Sequence, residues 1–488
     1  MTPKGVIFQE SMHEKRITVC EVIMLMAKGK NQKMRPVSMG DRVKVKISGM
    51  NHQGDGVCRY QDFTVFVPYA LEDEEVTLEI IQVKSSYAVG TIIEISKPAA
   101  FRVEPPCPVY YECGGCQLQH MSYNQQLKFK QQKVYDALTR IGGLPHVEVQ
   151  PVLGARNQWN YRNKVQMPMG WHNGELISGF YMHGTHDLVK VDRCLIQHEE
   201  INRTIQTARK ILKNYNTSVY DEKTNDGFLR HLMVRNSERT QDQMLVLVTN
   251  GQCESKWTEA LAALKLEMSD LNGIIENVNT KRTNVVLGHE SIVHYGEDAI
   301  YDYIGSYKFQ VSSKSFFQVN PEQVEVLYKT VVDYAEPKRH DTIVDAYCGI
   351  GTISMFLAEH AGLVVGIESI PDAIENAIRN SADNGIQNAT FVCGQVEDVL
   401  PGLIEAYPNI STLVVDPPRA GCDRKVIETI ISTDIQKLIY VSCNPASLAR
   451  DMAILTNSGY AICRIQPVDM FPQTHHIETV VLMSRVEE

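Results

Sequence analysis

No apolar run in the chain approaches the length needed to cross a bilayer as a helix, so no membrane span is expected. Residues 17–26 are apolar but short, are broken by Glu21 and lack a small-residue cleavage site, which argues against a secretory signal. There is no excess of positive charge either. Forty-eight Lys and Arg stand against 58 Asp and Glu, for a net charge of −10. That balance excludes non-specific nucleic-acid binding by the whole surface and leaves room for local basic patches. Twelve cysteines without a secretory signal point to a reducing cytoplasm, where thiols serve metals or catalysis rather than disulfides. At 43% hydrophobic and 22% charged, the 488 residues read as an ordinary globular composition, too long for one core. Two to four domains are expected.

Residues 1–37 form an extension without clear periodicity, and the chain starts either at Met1 or near Met26, ahead of a basic stretch at 27–33. Between 28 and 46, seven basic residues face a single acid, Asp41, which suits either a solvated tail or a basic arm for phosphate contacts. Residues 38–97 are β-rich. Arg42-Val43-Lys44-Val45-Lys46-Ile47 alternates strictly, Gly54-Asp55-Gly56-Val57 supplies a turn, and three further runs complete five short strands. Such a pattern predicts a small OB-like barrel, a frequent binder of RNA or single strands. The run from Gly54-Asp55-Gly56-Val57 to Val65-Phe66-Val67-Pro68-Tyr69-Ala70 resembles a TRAM domain.

Residues 98–310 open on Cys107-Pro108-Val109-Tyr110-Tyr111-Glu112-Cys113-Gly114-Gly115-Cys116, a C-x5-C-x2-C spacing with glycines that let the backbone close around a cofactor. Zinc and iron–sulfur sites both need a fourth ligand, and Cys194 is the best candidate for it. Spacing alone does not separate the two, although it departs from the C-x3-C-x2-C pattern of radical S-adenosylmethionine enzymes. Residues 122–141 predict an amphipathic helix with Leu127, Val134, Leu138 and Ile141 on one face. Farther on, Arg162, Lys164, Arg230, His231 and Arg235 interleave with Trp159, Tyr161 and Phe228. This α+β stretch suits phosphate contact and base stacking, or ordinary solvated strand faces.

From 311 to 488 strands and helices alternate toward a seven-stranded, Rossmann-like sheet. The turn Cys348-Gly349-Ile350-Gly351-Thr352 follows the first strand, and Glu368 ends the second, where an acid can hold ribose hydroxyls. Only two of the three dinucleotide glycines are present, which favours S-adenosylmethionine over a nicotinamide cofactor. The apolar run Leu438-Ile439-Tyr440-Val441 delivers Cys443 to a strand-to-helix turn, where a helix N-terminus can lower a thiol pKa and make it a nucleophile. The plainer alternative is a small buried hydrophobe. Arg419 in Asp416-Pro417-Pro418-Arg419 replaces the aromatic residue of amino methyltransferases, and no Pro-Cys pair of the cytosine carbon methyltransferases occurs there.

Five ordered motifs resemble the RumA/TrmA class of RNA uracil-5 methyltransferases. They are Ser315-Phe316-Phe317-Gln318-Val319-Asn320, Asp345-Ala346-Tyr347-Cys348-Gly349-Ile350-Gly351-Thr352, Asp416-Pro417-Pro418-Arg419-Ala420-Gly421, Ser442-Cys443-Asn444-Pro445 and Phe471-Pro472-Gln473-Thr474-His475-His476-Ile477-Glu478. The resemblance spans about residues 38–488 and implies Cys443 as nucleophile and Glu478 as base. It implies S-adenosylmethionine contacts from Gln318, Tyr347, Thr352, Glu368, Gln395 and Asp416, with Arg419 polarising the ring and His475 and His476 structural. The TRAM-like segment and the cysteines resemble the ribosomal branch, RumA, more than TrmA. That implies a 4Fe–4S cluster on Cys107, Cys113, Cys116 and Cys194, structural in role because no redox step is needed, and 23S rRNA as partner of a monomer. A transfer-RNA substrate, or a non-catalytic cluster-bearing RNA-binding factor, are the alternatives.

Overall fold

The computed structural model describes residues 35–251 and 255–486. The two candidate starts and the basic stretch at 27–33 lie outside them. Two compact units meet in sequence at Pro98 and Ala99, with residues 50–55 belonging to the second.

The amino-terminal strands are β1 (Arg42–Lys46), β2 (Gly49–Met50), β3 (Gly56–Tyr60), β4 (Phe63–Val67), β5 (Glu75–Val83) and β6 (Tyr87–Lys97), all within the first unit but for Met50 at the end of β2. They form one sheet in the order β1-β5-β6-β4-β3-β2. Strict alternation in β1 points Val43 and Val45 inward beside Ile47, Cys58, Val65, Val76, Leu78 and Ile80. Ser48 N–H donates to Val57 O at 2.9 Å, so the chain leaving β1 crosses to β3 and the sheet curls around this core. Six strands replace the expected five because the two-residue β2 carries no pattern of its own.

The second unit begins with α1 (Tyr123–Arg140) and a sheet of β7 (Lys164–His172), β8 (Glu175–Tyr181), β9 (Leu188–Lys190), β10 (Leu229–Asn236), β11 (Gln243–Thr249), β12 (Gly273–Val278) and β13 (Glu290–Gly296). Its order is β13-β12-β11-β10-β7-β8-β9. Helices α2 (Glu199–Asn214) and α3 (Trp257–Glu267) cover one face through Ile201, Ile205 and Leu261 against Leu232, Val234, Leu245 and Leu247. The other face packs Met233, Met244 and Val246 against the hairpin β14 (Ile300–Ile304) and β15 (Tyr307–Val311).

Burial on both faces corrects the basic–aromatic reading for four of its eight residues, while Trp159, Arg162, Lys164 and His231 are half-buried. Arg230, Arg235, Tyr161 and Phe228 are all buried. Arg230 donates to Asn279 O at 2.6 Å and Lys281 O at 3.0 Å, Arg235 to Ser313 O and Ser315 O, and Phe228 packs edge-on to Trp257. These groups satisfy loop carbonyls and fill the core, so they are neither a phosphate track nor a solvated face.

The last sheet is built from β16 (Thr342–Ala346), β17 (Leu363–Glu368), β18 (Ala389–Cys393), β19 (Ile410–Val415), β20 (Lys437–Ser442), β21 (Tyr460–Val468) and β22 (Glu478–Arg485). The order is β18-β17-β16-β19-β20-β22-β21, with β16–β20 parallel and β22 antiparallel to β20. Its helices are α4 (Pro321–Ala335), α5 (Thr352–Ala358), α6 (Pro371–Asp383), α7 (Val396–Ala406), α8 (Arg424–Ser432) and α9 (Pro445–Thr456). The order reverses between β16 and β19, the switch point at which such sheets bind ligands outside their carboxyl ends. Among the described residues, no helix is long and apolar enough to cross a membrane.

Candidate active site

The carboxyl ends of β16, β17, β19 and β20 carry Tyr347, Glu368, Asp416 and Cys443, and the amino end of antiparallel β22 brings Glu478 to the same edge. Cys443 follows β20 and is part-buried. Asn444 caps α9 by accepting from Ala446 N at 3.1 Å, and its amide donates to Arg419 O at 2.9 Å. That bond ties the turn of Cys443 to the Asp416–Arg419 turn. Asp416 leaves β19 with its N–H on Ala346 O at 3.3 Å, between the first and fourth parallel strands.

Cys443 and Glu478 each lie within the field of Asp416 and Arg419. The Cys443 thiol is pushed up to about 11 by burial and by the carboxylates of Glu478 and Asp416, against a smaller lowering by Arg419. This corrects the expectation of an acidified thiol: burial and two anions outweigh the helix N-terminus. Glu478, 4% exposed, is pushed well above the usual carboxylate range by burial and Asp416, with Arg419 opposing. Asp416 is raised by burial to about 6.

The remaining expected residues surround the glycine turn. Gly349 (φ 56°) and Gly351 (φ 82°) adopt the left-handed region. A side chain on Gly351 would meet the Phe391 ring at 3.0 Å, whereas the space over Gly349 is open. Gly349 N–H donates to Glu368 Oε2 at 3.2 Å, and Glu368 Oε1 accepts from Ile370 N at 2.9 Å, which fixes this carboxylate at the tip of β17. Tyr347 also has a positive φ of 68°, a conformation costing a non-glycine residue about 1 kcal/mol or more. It turns the ring toward Cys422. The Thr352 hydroxyl meets Tyr328 Oη at 2.9 Å. Gln395 is exposed at the start of α7, and Gln318 precedes the α4 cap Asn320, whose amide donates to Met470 O at 3.1 Å.

Three groups here were not singled out from the sequence. Tyr328 is buried and faces the charges of Asp416, Asp345 and Glu478. Asp345 is raised by burial to about 7. The third is an ion pair, Lys130 Nζ to Asp469 Oδ1 at 2.6 Å, both side chains fully buried. Lys130 also donates to Phe471 O at 3.0 Å, and Lys133 to His475 O at 2.7 Å. Helix α1 thus grips the loop that leads into Glu478. The sequence did hold a signal for Lys130, a charge on the apolar stripe between Leu127 and Val134. Ile141, assigned to that stripe, is exposed beyond the helix end. His475 and His476 are held neutral, lowered to about 3 and about 4 by burial and by Lys133. Lys130→Met, which strands Asp469 without its partner, is expected to cost about 3–5 kcal/mol in urea unfolding. A change of less than about 1 kcal/mol would show the pair to be dispensable.

Cys107, Cys113, Cys116 and Cys194 line one cavity of about 130 Å³, with Arg162, Val165, Phe180 and Val191 in its wall. Gly115 N–H points at Cys113 Sγ at 3.4 Å. Burial raises all four thiols, those of Cys113 to about 11 and Cys116 to about 12. Among the described residues, no three His, Cys, Asp or Glu side chains stand close enough to hold a single metal ion.

A model of the tRNA (uracil-5-)-methyltransferase family matches residues 122–486, and one of the TRAM domain matches residues 36–93. A protein of Clostridium tetani named as an RNA methyltransferase is 46% identical, over 92% of this chain and 97% of its own length. One of Bacillus cereus, named likewise, is 45% identical over 93% and 98%. The crystal structure of Pyrococcus abyssi tRNA (uracil-54, C5)-methyltransferase with S-adenosyl-L-homocysteine aligns with 90% of this chain and all of that one. Its TM-score is 0.71 at 26% identity. The chain therefore belongs to the tRNA (uracil-5-)-methyltransferase family, S-adenosylmethionine-dependent enzymes acting on RNA, and carries a TRAM domain.

Proposed function

We propose that the protein methylates carbon 5 of one specific uridine in 23S rRNA through a covalent adduct on Cys443, with Glu478 as the base. The observation that carries this reading is the convergence of a thiol, two carboxyls and Arg419 at one sheet edge, where Cys443 and Glu478 both feel the charges of Asp416 and Arg419.

The edge fits S-adenosylmethionine, which supplies the methyl group as a cationic sulfonium. Gly349 leaves open space over the turn, Glu368 stands at the strand tip for ribose hydroxyls, and Asp416 offers a carboxylate to the cation. Gln318, Tyr347, Thr352 and Gln395 complete the proposed contacts. Carbon 5 of uracil is a weak nucleophile, so Cys443 first adds to carbon 6. The new carbon–sulfur bond pushes the ring's π pair into an enolate whose carbon 5 attacks the methyl. Glu478 then takes the carbon-5 proton, the double bond re-forms, and the carbon–sulfur pair returns to Cys443. Loss of the sulfonium charge on methyl transfer raises the basicity of nearby carboxylates at the step that needs a base. The uridine must leave its stack to reach Cys443.

A free thiol near 11 gives up its proton with difficulty at neutral pH. The rate of adduct formation is therefore expected to climb about tenfold per unit between pH 7 and 9, as the thiolate fraction does. A flat profile over that range, in rapid-quench assays, would mean that the thiolate is already formed in the resting enzyme.

We also read the four cysteines as ligands of a 4Fe–4S cluster. They ring a cavity rather than converging on a point, and a backbone N–H already faces Cys113 Sγ. The positive charge of bound iron would offset the cost of burying the four side chains as thiolates. The cluster cysteines and the TRAM domain support a ribosomal substrate, whereas the Pyrococcus abyssi neighbour favours transfer RNA. Mapping 5-methyluridine in RNA from a strain lacking the gene decides between them. Loss of one residue from 23S rRNA is expected, and loss from transfer RNA alone would move the substrate.

A further inference from the structure

We propose that the cysteine cavity positions Glu478, with Gln473 and Gln126 as the mechanical link between the two. This rests on the proposed roles of the four cysteines and Glu478 and goes beyond both.

Cys116 is followed directly by Gln117 and Leu118, and the N–H groups of both donate to Gln473 O, at 3.1 and 3.0 Å. Gln117 also reaches back, its side chain donating to Gly114 O at 2.8 Å, inside the cysteine turn. Gln473 has φ 70° and is 3% exposed, so its carbonyl is aimed by a left-handed turn that these partners must hold. Gln126 on α1 clamps the same residue from the other side. Its Nε2 lies 3.0 Å from Gln473 Oε1, and its Oε1 accepts from Gln473 N at 3.1 Å. The same amide donates to Leu118 O at 3.0 Å and Met121 O at 2.9 Å.

The opposite wall of the cavity reaches the loop as well. Arg162 lines the cavity, and the hydroxyl of its neighbour Tyr161 donates to Pro472 O at 3.0 Å. Asn160 N and Arg162 N are bonded to Leu195 O and Ile196 O, both at 2.9 Å, next to Cys194. Both walls thus converge on residues 472–473, and Glu478 begins β22 five residues on from Gln473. Drawing four thiolates onto one core fixes both walls. Releasing them frees the two N–H donors and the tyrosine that hold the turn. Cys443 and Asp416 directly follow β20 and β19, outside this linkage, so loosening it acts on the base more than on the nucleophile.

Gln126 is in this account a positioning residue, and Gln126→Met keeps its bulk while removing the amide. In the full-length protein, iron content and S-adenosylmethionine affinity are expected to stay within about twofold of wild type. The kcat is expected to fall about tenfold or more with KM for RNA little changed, since a misplaced base costs rate rather than binding. Denaturing gels should then show a protein–RNA adduct on ordinary uridine RNA, because removal of the carbon-5 proton becomes slow. Unchanged kcat, or a fall in kcat without adduct, would overturn the proposal.

Hydrogen exchange gives a second arm that does not depend on the reaction. Chelating iron from the full-length protein should speed exchange at the amides of residues 472–478 by about tenfold or more, with β16–β20 unaffected. Unchanged exchange at 472–478 would overturn the linkage even if the catalytic reading stands. If Glu478→Gln itself yields no adduct, or Gln126→Met fails to bind S-adenosylmethionine, the exchange result alone decides.

Discussion

Glu478→Gln is expected to halt the reaction after methyl transfer. The variant should accumulate a covalent protein–RNA species on ordinary RNA, while multiple turnover falls by about 10²–10⁴. An amide at this position still fills the buried start of β22 but accepts no proton from carbon 5. Without that step the carbon–sulfur bond cannot be expelled by re-forming the ring double bond, and the methylated adduct persists. The change also removes one of the two anions that hold the Cys443 thiol high. Addition should therefore be no slower than in the wild type, which sharpens the distinction. A denaturing gel of the variant with S-adenosylmethionine and RNA carries the result, with the wild type as control. A fall in turnover with no trapped species would place Glu478 before methyl transfer and remove it from the role of base.

Cys443→Ala is expected to show the opposite pattern, with no covalent species on any RNA and turnover lower by roughly 10⁴-fold or more. Nothing else at this edge replaces the thiol. Asp416 and Glu478 are weak carbon nucleophiles, and the thiols of Cys348 and Cys422 are both buried and raised, that of Cys422 to about 12. S-adenosylmethionine binding should survive, because the strand tips and glycine turn do not depend on the sulfur. Isothermal titration separates that outcome from misfolding. Residual turnover within about a hundredfold of wild type would mean that carbon 5 is activated by some other group.

Much of this candidate site was legible in the sequence because the residues proposed for the chemistry sit where apolar strands end. Leu438-Ile439-Tyr440-Val441 forms buried β20, and its carboxyl end necessarily presents Cys443. Glu368 and Asp416 follow from the same rule at β17 and β19. Ionisation at Cys443 was not legible, since it is set by carboxylates on other strands and by burial. Arg230 and Arg235 misled for a related reason. Alternation of basic and apolar residues reads the same on a strand facing solvent and on one whose arginines reach buried carbonyls. Only the helices on one side and the hairpin on the other decide between these. Lys130 is the reverse case, a visible break in an apolar stripe whose partner, Asp469, lies 339 residues away.

The central claim is that a cysteine on this chain bonds to the RNA base during methyl transfer. Its most direct test is incubation with S-adenosylmethionine and 23S rRNA carrying 5-fluorouridine, followed by mass spectrometry of the protein–RNA species. Fluorine cannot leave as a cation, so the adduct should stall after methylation. The account predicts one stable species per chain, carrying a methyl group and joined through the Cys443 peptide. An adduct on transfer RNA but not ribosomal RNA would keep the mechanism and change the substrate. Methylated product without any adduct, or an adduct on a different cysteine, would contradict it.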